Sequence, residues 1–121
     1  MKFTRETSSA LLIRRVTSDA IIVGEQSYTD TIVLTPEAML EGFESVPIAE
    51  LELGHFELLL GTNPELVLLG TGGHNIFPPR ELVFAFARRG IGLEVMDTPA
   101  AARTFNVLAG EGRRLGAVLY L

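Results

Sequence analysis

Cysteine and tryptophan are absent from this chain of 121 residues. Without cysteine the protein has no disulfide bond, no zinc–thiolate site and no thiol nucleophile. Long apolar runs are also missing, since no stretch approaches the ~20 residues that a helix needs to span a bilayer. The composition is 47% hydrophobic and 21% charged, which is typical of a globular domain. The length predicts one domain over residues 1–121.

Basic residues are missing from the middle of the chain. Residues 16–79 contain no lysine or arginine and hold ten carboxylates. Residues 1–15 carry a net charge of +3 and residues 80–121 one of +2, so the whole chain carries −5. Nucleic-acid binding needs clustered lysine and arginine to contact phosphates. We therefore expect no nucleic-acid partner, although the C-terminal half has room for a basic patch.

The N-terminal segment lacks the features of a secretory signal. Its longest apolar run, residues 10–13, is too short for the hydrophobic region of such a signal. Its arginines and serines also occur in mitochondrial transit peptides, but Glu6 and the shortness of the segment argue against one. We expect an untargeted cytoplasmic protein without membrane insertion.

Short segments rich in β-branched residues dominate the first third of the chain. Three of them, separated by short polar turns, predict an antiparallel meander: residues 11–16, 20–23 and 28–35. Beyond them, residues 36–47 are predicted as a loop with a short strand around 43–46. Alternation of apolar and polar residues over 48–53 predicts a strand, and residues 56–60 predict a short helix.

Strands and helices alternate in the second half. The predicted order is β-α-β-α-β, with strands at 66–69, 91–95 and 115–121, a helix at 80–89, and a second helix that begins at Pro99 and is ended by Gly110 or Gly112. Thr98 is predicted to cap the second helix, with Pro99 at its first position. Crossover helices imply parallel pairing of at least the first two strands. Together with the meander, this order predicts an α/β fold with a mixed sheet.

A glycine-rich loop at residues 70–73 follows the first of these strands, at the edge where open α/β sheets bind ligands. Backbone amides in such a loop can hold an anion. The motif is incomplete, because Asn75 stands where a dinucleotide-binding fingerprint needs glycine, and the lysine of a P-loop is absent. Pro78 and Pro79 also remove amide donors from the helix entrance. A tight turn that needs a positive φ is the favoured interpretation of the loop, and a ligand-binding loop stays open.

Residues for catalysis or metal binding are not grouped along the chain. The two histidines, His55 and His74, lie on different segments, and neither has a second histidine at helical spacing. Glu94 and Asp97 are three residues apart along an extended segment and do not share a face, which argues against a paired acid/base role. We therefore expect no metal site, no cofactor and no enzymatic activity.

Arg103 and Asn106 are three residues apart, so they share a helix face opposite Phe105. This polar pair suits a protein partner or a small anion. An ion pair between Arg103 and Glu111, with Asn106 bonded to backbone near the helix end, would explain the same residues without any ligand.

Several of these segments together resemble a known family. The resemblance is carried by residues 66–72, 90–91, 94–98 and 101–108, with Glu111 and Arg113. They resemble the small domain of undetermined biochemical activity that occurs in mitochondrial respiratory complex I assembly factor 3 and in the adipogenesis-associated domain protein. Phe105 stands where that family usually has tyrosine. The resemblance implies a three-layer α/β/α fold with a central mixed sheet, and it implies no established reaction, cofactor or catalytic residue.

Two hypotheses for the function follow. The first, favoured by the resemblance to an assembly factor, is a non-enzymatic interaction module that binds an unidentified protein as a monomer or homodimer. Its partner-binding residues are predicted to be Arg103, Asn106 and Arg113. The second is a small-molecule site for a phosphate or carboxylate. Its ligand-binding residues are predicted to be Thr71, Gly72, Gly73, Thr98 and Arg103.

Overall fold

The computed structural model describes residues 11–121, so Lys2, Arg5 and Glu6 of the charged N-terminal segment lie outside the described residues. Within that range there are eight strands: β1 (Ile13–Val16), β2 (Ile21–Val23), β3 (Gln26–Tyr28), β4 (Ile32–Leu34), β5 (Met39–Leu40), β6 (Leu66–Thr71), β7 (Gly92–Met96) and β8 (Leu115–Tyr120). The same range forms three α-helices: α1 (Glu57–Leu60), α2 (Arg80–Arg88) and α3 (Thr98–Gly110). Two short 3-10 helices precede α1: Ile48–Glu50 and Leu53–Phe56.

A five-stranded mixed sheet lies at the centre, in the order β5-β4-β8-β6-β7. Strand β6 pairs in parallel with β7 and β8, whereas β4 pairs antiparallel with β8 and β5. The predicted β-α-β-α-β unit is confirmed, because α2 and α3 are the crossovers between these parallel strands. Strand β6 is an interior strand and is apolar on both faces, as its unbroken hydrophobic run predicts.

Side chains of the sheet alternate between two apolar cores. Leu68 of β6 packs in the core that contains Phe105 of α3. Val67 and Leu69 point to the opposite face, in the core that contains Phe86 of α2. The strands of the N-terminal meander cover the first core with α3, and α1 with the 3-10 helices covers the second with α2. The chain therefore has the predicted three-layer α/β fold with a central mixed sheet.

The N-terminal meander is a separate three-stranded antiparallel sheet, in the order β1-β2-β3. The prediction of one long strand over residues 28–35 is wrong, because two strands of different sheets occupy this segment. Polar residues 29–31 separate them. All three residues of β4 are buried, since β4 lies inside the central sheet and has no solvent-facing side.

The strand predicted at residues 48–53 is also wrong. The segment begins after Pro47 with the 3-10 helix Ile48–Glu50. Ile48 and Leu51 are both buried, and they are three residues apart, which is one turn of a 3-10 helix. The apparent alternation therefore reflects a short helical turn that buries one face.

The segment before it differs from the prediction as well. Residues 43–46 form no strand. The strand of this region lies earlier, at Met39–Leu40, where it pairs with β4 at the edge of the central sheet. The helix predicted at 56–60 is confirmed as α1.

Candidate functional site

Thr98 joins the ends of two central strands to the start of α3. Its hydroxyl accepts a hydrogen bond from the Gly72 amide at 2.8 Å and donates one to the Tyr120 carbonyl at 2.5 Å. Its own amide donates to the Gly72 carbonyl at 2.8 Å. The side chain is buried, so these bonds form away from water. Thr98 thus holds together the carboxyl ends of β6 and β8, where the sequence predicts a ligand site.

The cap of α3 differs by one residue from the prediction. Asp97 is the N-cap, and its carboxylate accepts a hydrogen bond from the Ala100 amide at 2.8 Å. Thr98 and Pro99 are therefore the first two residues of the helix. Because Asp97 takes the capping role, the Thr98 hydroxyl is available to the neighbouring strands. The carboxylate also places a negative charge at the helix entrance, where an anion would otherwise be held.

The glycine loop is closed by internal hydrogen bonds. The Thr71 hydroxyl donates to the His74 carbonyl at 2.6 Å and accepts from the Ile76 amide at 3.0 Å. Gly72 has a φ of +96°, which favours glycine. A tight turn therefore accounts for Gly72, and both predicted threonine ligands already have partners within the chain.

Gly70 is required for a different reason, which is close approach. A Cβ atom at this position would lie 2.8 Å from the Thr98 hydroxyl oxygen, 2.9 Å from a Leu119 methyl carbon and 3.0 Å from the Thr98 Cα. The strand end can approach the helix start only without a side chain here. The two glycines on either side of Thr71 are thus explained: Gly70 by close packing and Gly72 by its backbone conformation.

Two cavities adjoin this junction. The larger, of about 300 Å³, is lined by Val16, Thr17, Ser18, Gly72, Gly73, Thr98, Pro99, Tyr120 and Leu121. The smaller, of about 150 Å³, is lined by Ile13, Arg14, Arg15, Val16, Pro99, Ala102, Arg103 and Asn106. Val16 and Pro99 line both. The structure thus places Gly72, Gly73 and Thr98 at one cavity and Arg103 at its neighbour, while Thr71 lines neither.

Asn106, predicted to bind a partner, contacts strand β1. Its side-chain oxygen accepts a hydrogen bond from the Ile13 amide at 2.9 Å, and its side-chain nitrogen donates to the Ile13 carbonyl at 2.8 Å. An asparagine side chain carries the same donor and acceptor as a peptide unit. It therefore pairs with the open edge of β1 as a neighbouring strand would.

Arg113, the third predicted partner-binding residue, lies beyond the other end of α3 and forms an ion pair with Glu65 at the start of β6. Arg114 approaches the same carboxylate at 3.6 Å. Among the residues that the structure describes, Arg103 has no carboxylate within 4.0 Å, so the alternative ion pair with Glu111 is not formed. Arg113 does not share a surface with Arg103 and Asn106 at the smaller cavity.

The Glu65–Arg113 pair gives a pH-dependent prediction. The Arg113 guanidinium, hydrogen-bonded to the Glu65 carboxylate, holds the pKa of Glu65 below its ordinary value. Because the pKa of Glu65 is lower in the folded state than in the unfolded state, the ion pair stabilises the fold at pH values above the unfolded-state pKa. This stabilisation is lost as the pH falls through the folded-state pKa. The pair is exposed, so the contribution is small. We expect Arg113→Gln to raise the pKa of Glu65 in a carboxyl NMR titration.

The control for this titration is Arg103→Gln, which removes an equal charge at a distance from Glu65 and is expected to leave its pKa unchanged. An equal shift in both variants would mean that net charge, not the Arg113 contact, sets the pKa.

An exposed apolar surface at α2 was not predicted from the sequence. We use the name α2 patch for four exposed residues: Ile76 and Phe77 precede the helix, and Val83 and Phe84 lie on it. Phe77 is 79% exposed and Phe84 is 52% exposed. The opposite side of α2 buries Leu82 and Phe86, so this helix is apolar on two faces. A helix that buries one face needs only one apolar stripe, which in α2 is formed by Leu82 and Phe86. The additional apolar residues Val83 and Phe84 were therefore the sequence signal for a second apolar face.

Arginines border the α2 patch. Arg80 lies at the first position of α2 and Arg88 at the last, and Arg89 follows directly. All three are exposed. Within residues 11–121, the only ion pairs are those that join Glu65 to Arg113 and Arg114, so the arginines beside the patch are not neutralised by an ion pair there.

The described residues contain neither a metal-binding cluster nor a membrane-spanning helix. Over residues 11–121, no group of three or more histidine, cysteine, aspartate or glutamate side chains is arranged to hold a metal ion. No helix of the described part is both long enough and apolar enough to cross a bilayer.

Comparison with known proteins gives one family. The family model described as "Protein of unknown function (DUF498/DUF598)" matches residues 13–120. This range includes every strand and helix of the described structure. It also includes the α2 patch and the polar residues that line the two cavities beside Thr98.

Two relatives of this chain carry different names. The "13 kDa major membrane protein" of Francisella tularensis is 31% identical over 98 residues, which cover 80% of this chain and 78% of that protein. The human NADH dehydrogenase (ubiquinone) 1 alpha subcomplex assembly factor 3 is 31% identical over 117 residues, which cover 95% of this chain and 63% of that protein. The chain thus spans less than two thirds of the human relative.

A solved structure confirms the fold. The NMR structure of a Xanthomonas campestris protein superposes with a TM-score of 0.83 at 36% sequence identity. The match covers 97% of this chain and 89% of that one.

Proposed function

The chain belongs to the DUF498/DUF598 family of proteins of unknown function, and from this premise we propose that it is a non-enzymatic interaction module that assists the assembly of a protein complex. The observation that carries the proposal is the α2 patch. A relative named as an assembly factor, 31% identical over 95% of this chain, supports the kind of role. The cytoplasmic location expected from the sequence stays a prediction, which fractionation of host cells would test.

Aromatic side chains make the α2 patch suited to a protein partner. Phe77 and Phe84 both lie largely in water, although phenylalanine gains free energy when it is buried. Aromatic residues grouped on an exposed surface are characteristic of the centres of protein interfaces. The patch lies on a helix that is anchored from behind by Phe86, whose ring contacts Phe56 edge-to-face at a centroid distance of 5.1 Å. Rigid support of this kind lowers the entropic cost of binding.

The charges at the border of the patch specify the partner further. Arg80 and Arg88 stand at the two ends of α2, with Arg89 beside the second. Complementary charge at the rim of an interface raises the association rate and excludes wrong partners. Because these three arginines outnumber the one exposed carboxylate of α2, Glu81, the expected partner surface is apolar at its centre and mainly acidic at its rim.

The test removes the aromatic centre of the patch. The double variant Phe77→Ala/Phe84→Ala is expected to lose a protein captured by the wild-type chain from its host, and to bind that purified protein at least about thirtyfold more weakly. Val107→Ala is the control, because Val107 is an apolar residue of α3 that is 59% exposed and lies outside the patch. Isothermal titration measures the affinities, and circular dichroism checks that each variant folds.

Charge reversal tests the rim separately. Arg80→Glu/Arg88→Glu is expected to slow association mainly at low ionic strength. Equal affinity of the wild type and the double alanine variant would refute the role of the patch. A homodimer that disappears in the alanine variant, observed by analytical ultracentrifugation, would show that a second copy, not another protein, covers it.

A further inference from the structure

We propose that the smaller cavity, between β1 and α3, is a binding site for a phosphate-bearing small molecule. We call it the arginine cleft, because Arg14, Arg15 and Arg103 all line it. Its volume is about 150 Å³. The arginine cleft is on the meander side of the sheet and does not involve the α2 patch, so the two proposals stand or fall separately.

An irregularity in β1 brings two arginines to the same cleft. Ile13 pairs with Val23 and Val16 pairs with Ile21, so β1 advances by three residues where β2 advances by two. One extra residue in a strand is a β-bulge, which redirects side chains that would otherwise alternate between the two faces. Ile13 is buried and Val16 packs against the same core. Arg14 and Arg15 between them are both exposed, whereas strict alternation would turn one of them toward the core.

The third arginine is fixed relative to these two by Asn106. The paired hydrogen bonds of 2.9 and 2.8 Å between Asn106 and Ile13 join α3 to β1. Arg103 lies one helical turn before Asn106, on the same face, and therefore faces the bulge. The geometry of the cleft thus depends on two rigid elements, which is what a specific site requires.

The charge of the cleft favours an anion. Its lining contains three arginines and no carboxylate. Among the residues that the structure describes, none of these arginines has an acidic partner within 4.0 Å, since the ion pairs there involve Arg113 and Arg114. Three positive charges that line one cleft favour the binding of an anion there. Guanidinium groups also match the oxygens of phosphate in bidentate hydrogen bonds.

The neighbouring cavity indicates what the phosphate is attached to. The larger cavity of about 300 Å³ adjoins the cleft through Val16 and Pro99. It is lined by Leu121 and the Gly72–Gly73 backbone among others, with no charged side chain. An uncharged body attached to the phosphate would occupy this space. We therefore expect an alkyl phosphate to bind more tightly than inorganic phosphate.

The experiment titrates the full chain with inorganic phosphate and with hexyl phosphate and follows the backbone amides by NMR. We expect saturable shifts at residues 13–18 and 99–106, with the tighter binding for hexyl phosphate. Arg14→Gln, Arg15→Gln and Arg103→Gln are each expected to weaken binding about tenfold. The control is Arg114→Gln, which removes the same charge from a position outside both the cleft and the α2 patch and is expected to bind as the wild type does.

A lipid headgroup carries the same phosphate chemistry, so vesicles of phosphatidic acid in phosphatidylcholine form a second arm. Binding to these vesicles that depends on Arg103 and not on Arg114 would assign the phosphate to a lipid. Binding only to hexyl phosphate would assign it to a soluble compound. Equal weakening by Arg103→Gln and Arg114→Gln would refute the site, as would the absence of saturable binding in both arms.

Discussion

Thr98→Val is expected to lower the free energy of unfolding by about 2–4 kcal/mol. Valine has nearly the shape of threonine, so the change removes the hydroxyl and little else. The buried Gly72 amide then loses its acceptor at 2.8 Å, and the Tyr120 carbonyl loses its donor at 2.5 Å. A buried polar group without a partner costs more than the hydrogen bond itself contributes. Denaturant unfolding followed by circular dichroism measures the difference.

Thr104→Val is the matched control for this prediction. The Thr104 hydroxyl donates to the Ala100 carbonyl at 3.0 Å, one turn earlier in the same helix. That carbonyl is positioned to accept the usual helical hydrogen bond as well, so we expect a loss below about 1 kcal/mol. Faster hydrogen exchange at the Gly72 amide in Thr98→Val alone would locate the effect. An equal loss of unfolding free energy in both valine variants would mean that the Thr98 hydrogen bonds stabilise the fold no more than the Thr104 hydrogen bond does.

The same contacts change how the glycine loop can be tested. A substitution such as Gly72→Val strains the backbone, because φ is +96° there, and a Cβ would also lie 3.2 Å from the Leu121 carbonyl. Loss of binding in such a variant would mix strain with a lost ligand contact. Exposed arginines avoid this problem, since their removal leaves the backbone and the core unchanged. Variants of Arg14 and Arg103 are therefore cleaner probes of an anion site than variants of the loop.

The second half of the fold could be predicted from the sequence because its patterns are local. The apolar run of β6, Pro79 before α2 and Gly90 after it each fix an element through their own neighbours. Pro47 precedes residues 48–53 as Pro79 precedes α2, but the segment is too short to show a helical period. Leu51, Glu52 and Leu53 alternate as a strand would, and only the tertiary packing of Ile48 and Leu51, three residues apart, decides for the helical turn.

The candidate site was predictable only in part, for the same physical reason. Gly72, Gly73 and Thr98 could be placed together because the carboxyl ends of parallel strands meet at one edge. The arginine cleft depends on the bulge at Arg14 and on the contact between Asn106 and Ile13, 93 residues apart. A β-bulge changes the direction in which side chains point, but no distinct residue pattern in the sequence marks it. A contact between residues so far apart in the chain cannot be predicted from the spacing of neighbouring residues. Arg103 and Asn106 were correctly placed on one helix face, but their neighbour β1 was not foreseen.

The contact of Asn106 with β1 leads to the last prediction. Asn106→Ala is expected to lower the free energy of unfolding by about 2–3 kcal/mol, because both the amide and the carbonyl of Ile13 lose a hydrogen-bond partner. Among residues 11–121, strand β1 is the edge of the meander sheet, so its outward backbone groups have no further strand of that range to pair with.

The effect is expected to be local before it is global. Hydrogen exchange of the Ile13 amide should accelerate strongly, while the amides of β6 and β8 keep their protection, since regions of a fold open with different free energies. Asn75→Ala is the control, because Asn75 is exposed on the glycine loop. Unchanged exchange at Ile13 would contradict the role of the contact. Asn106 positions Arg103 against the bulge, so we expect Asn106→Ala also to lose saturable binding of hexyl phosphate. Because all three arginines remain in this variant, that loss would show that the geometry of the cleft matters in addition to its charge.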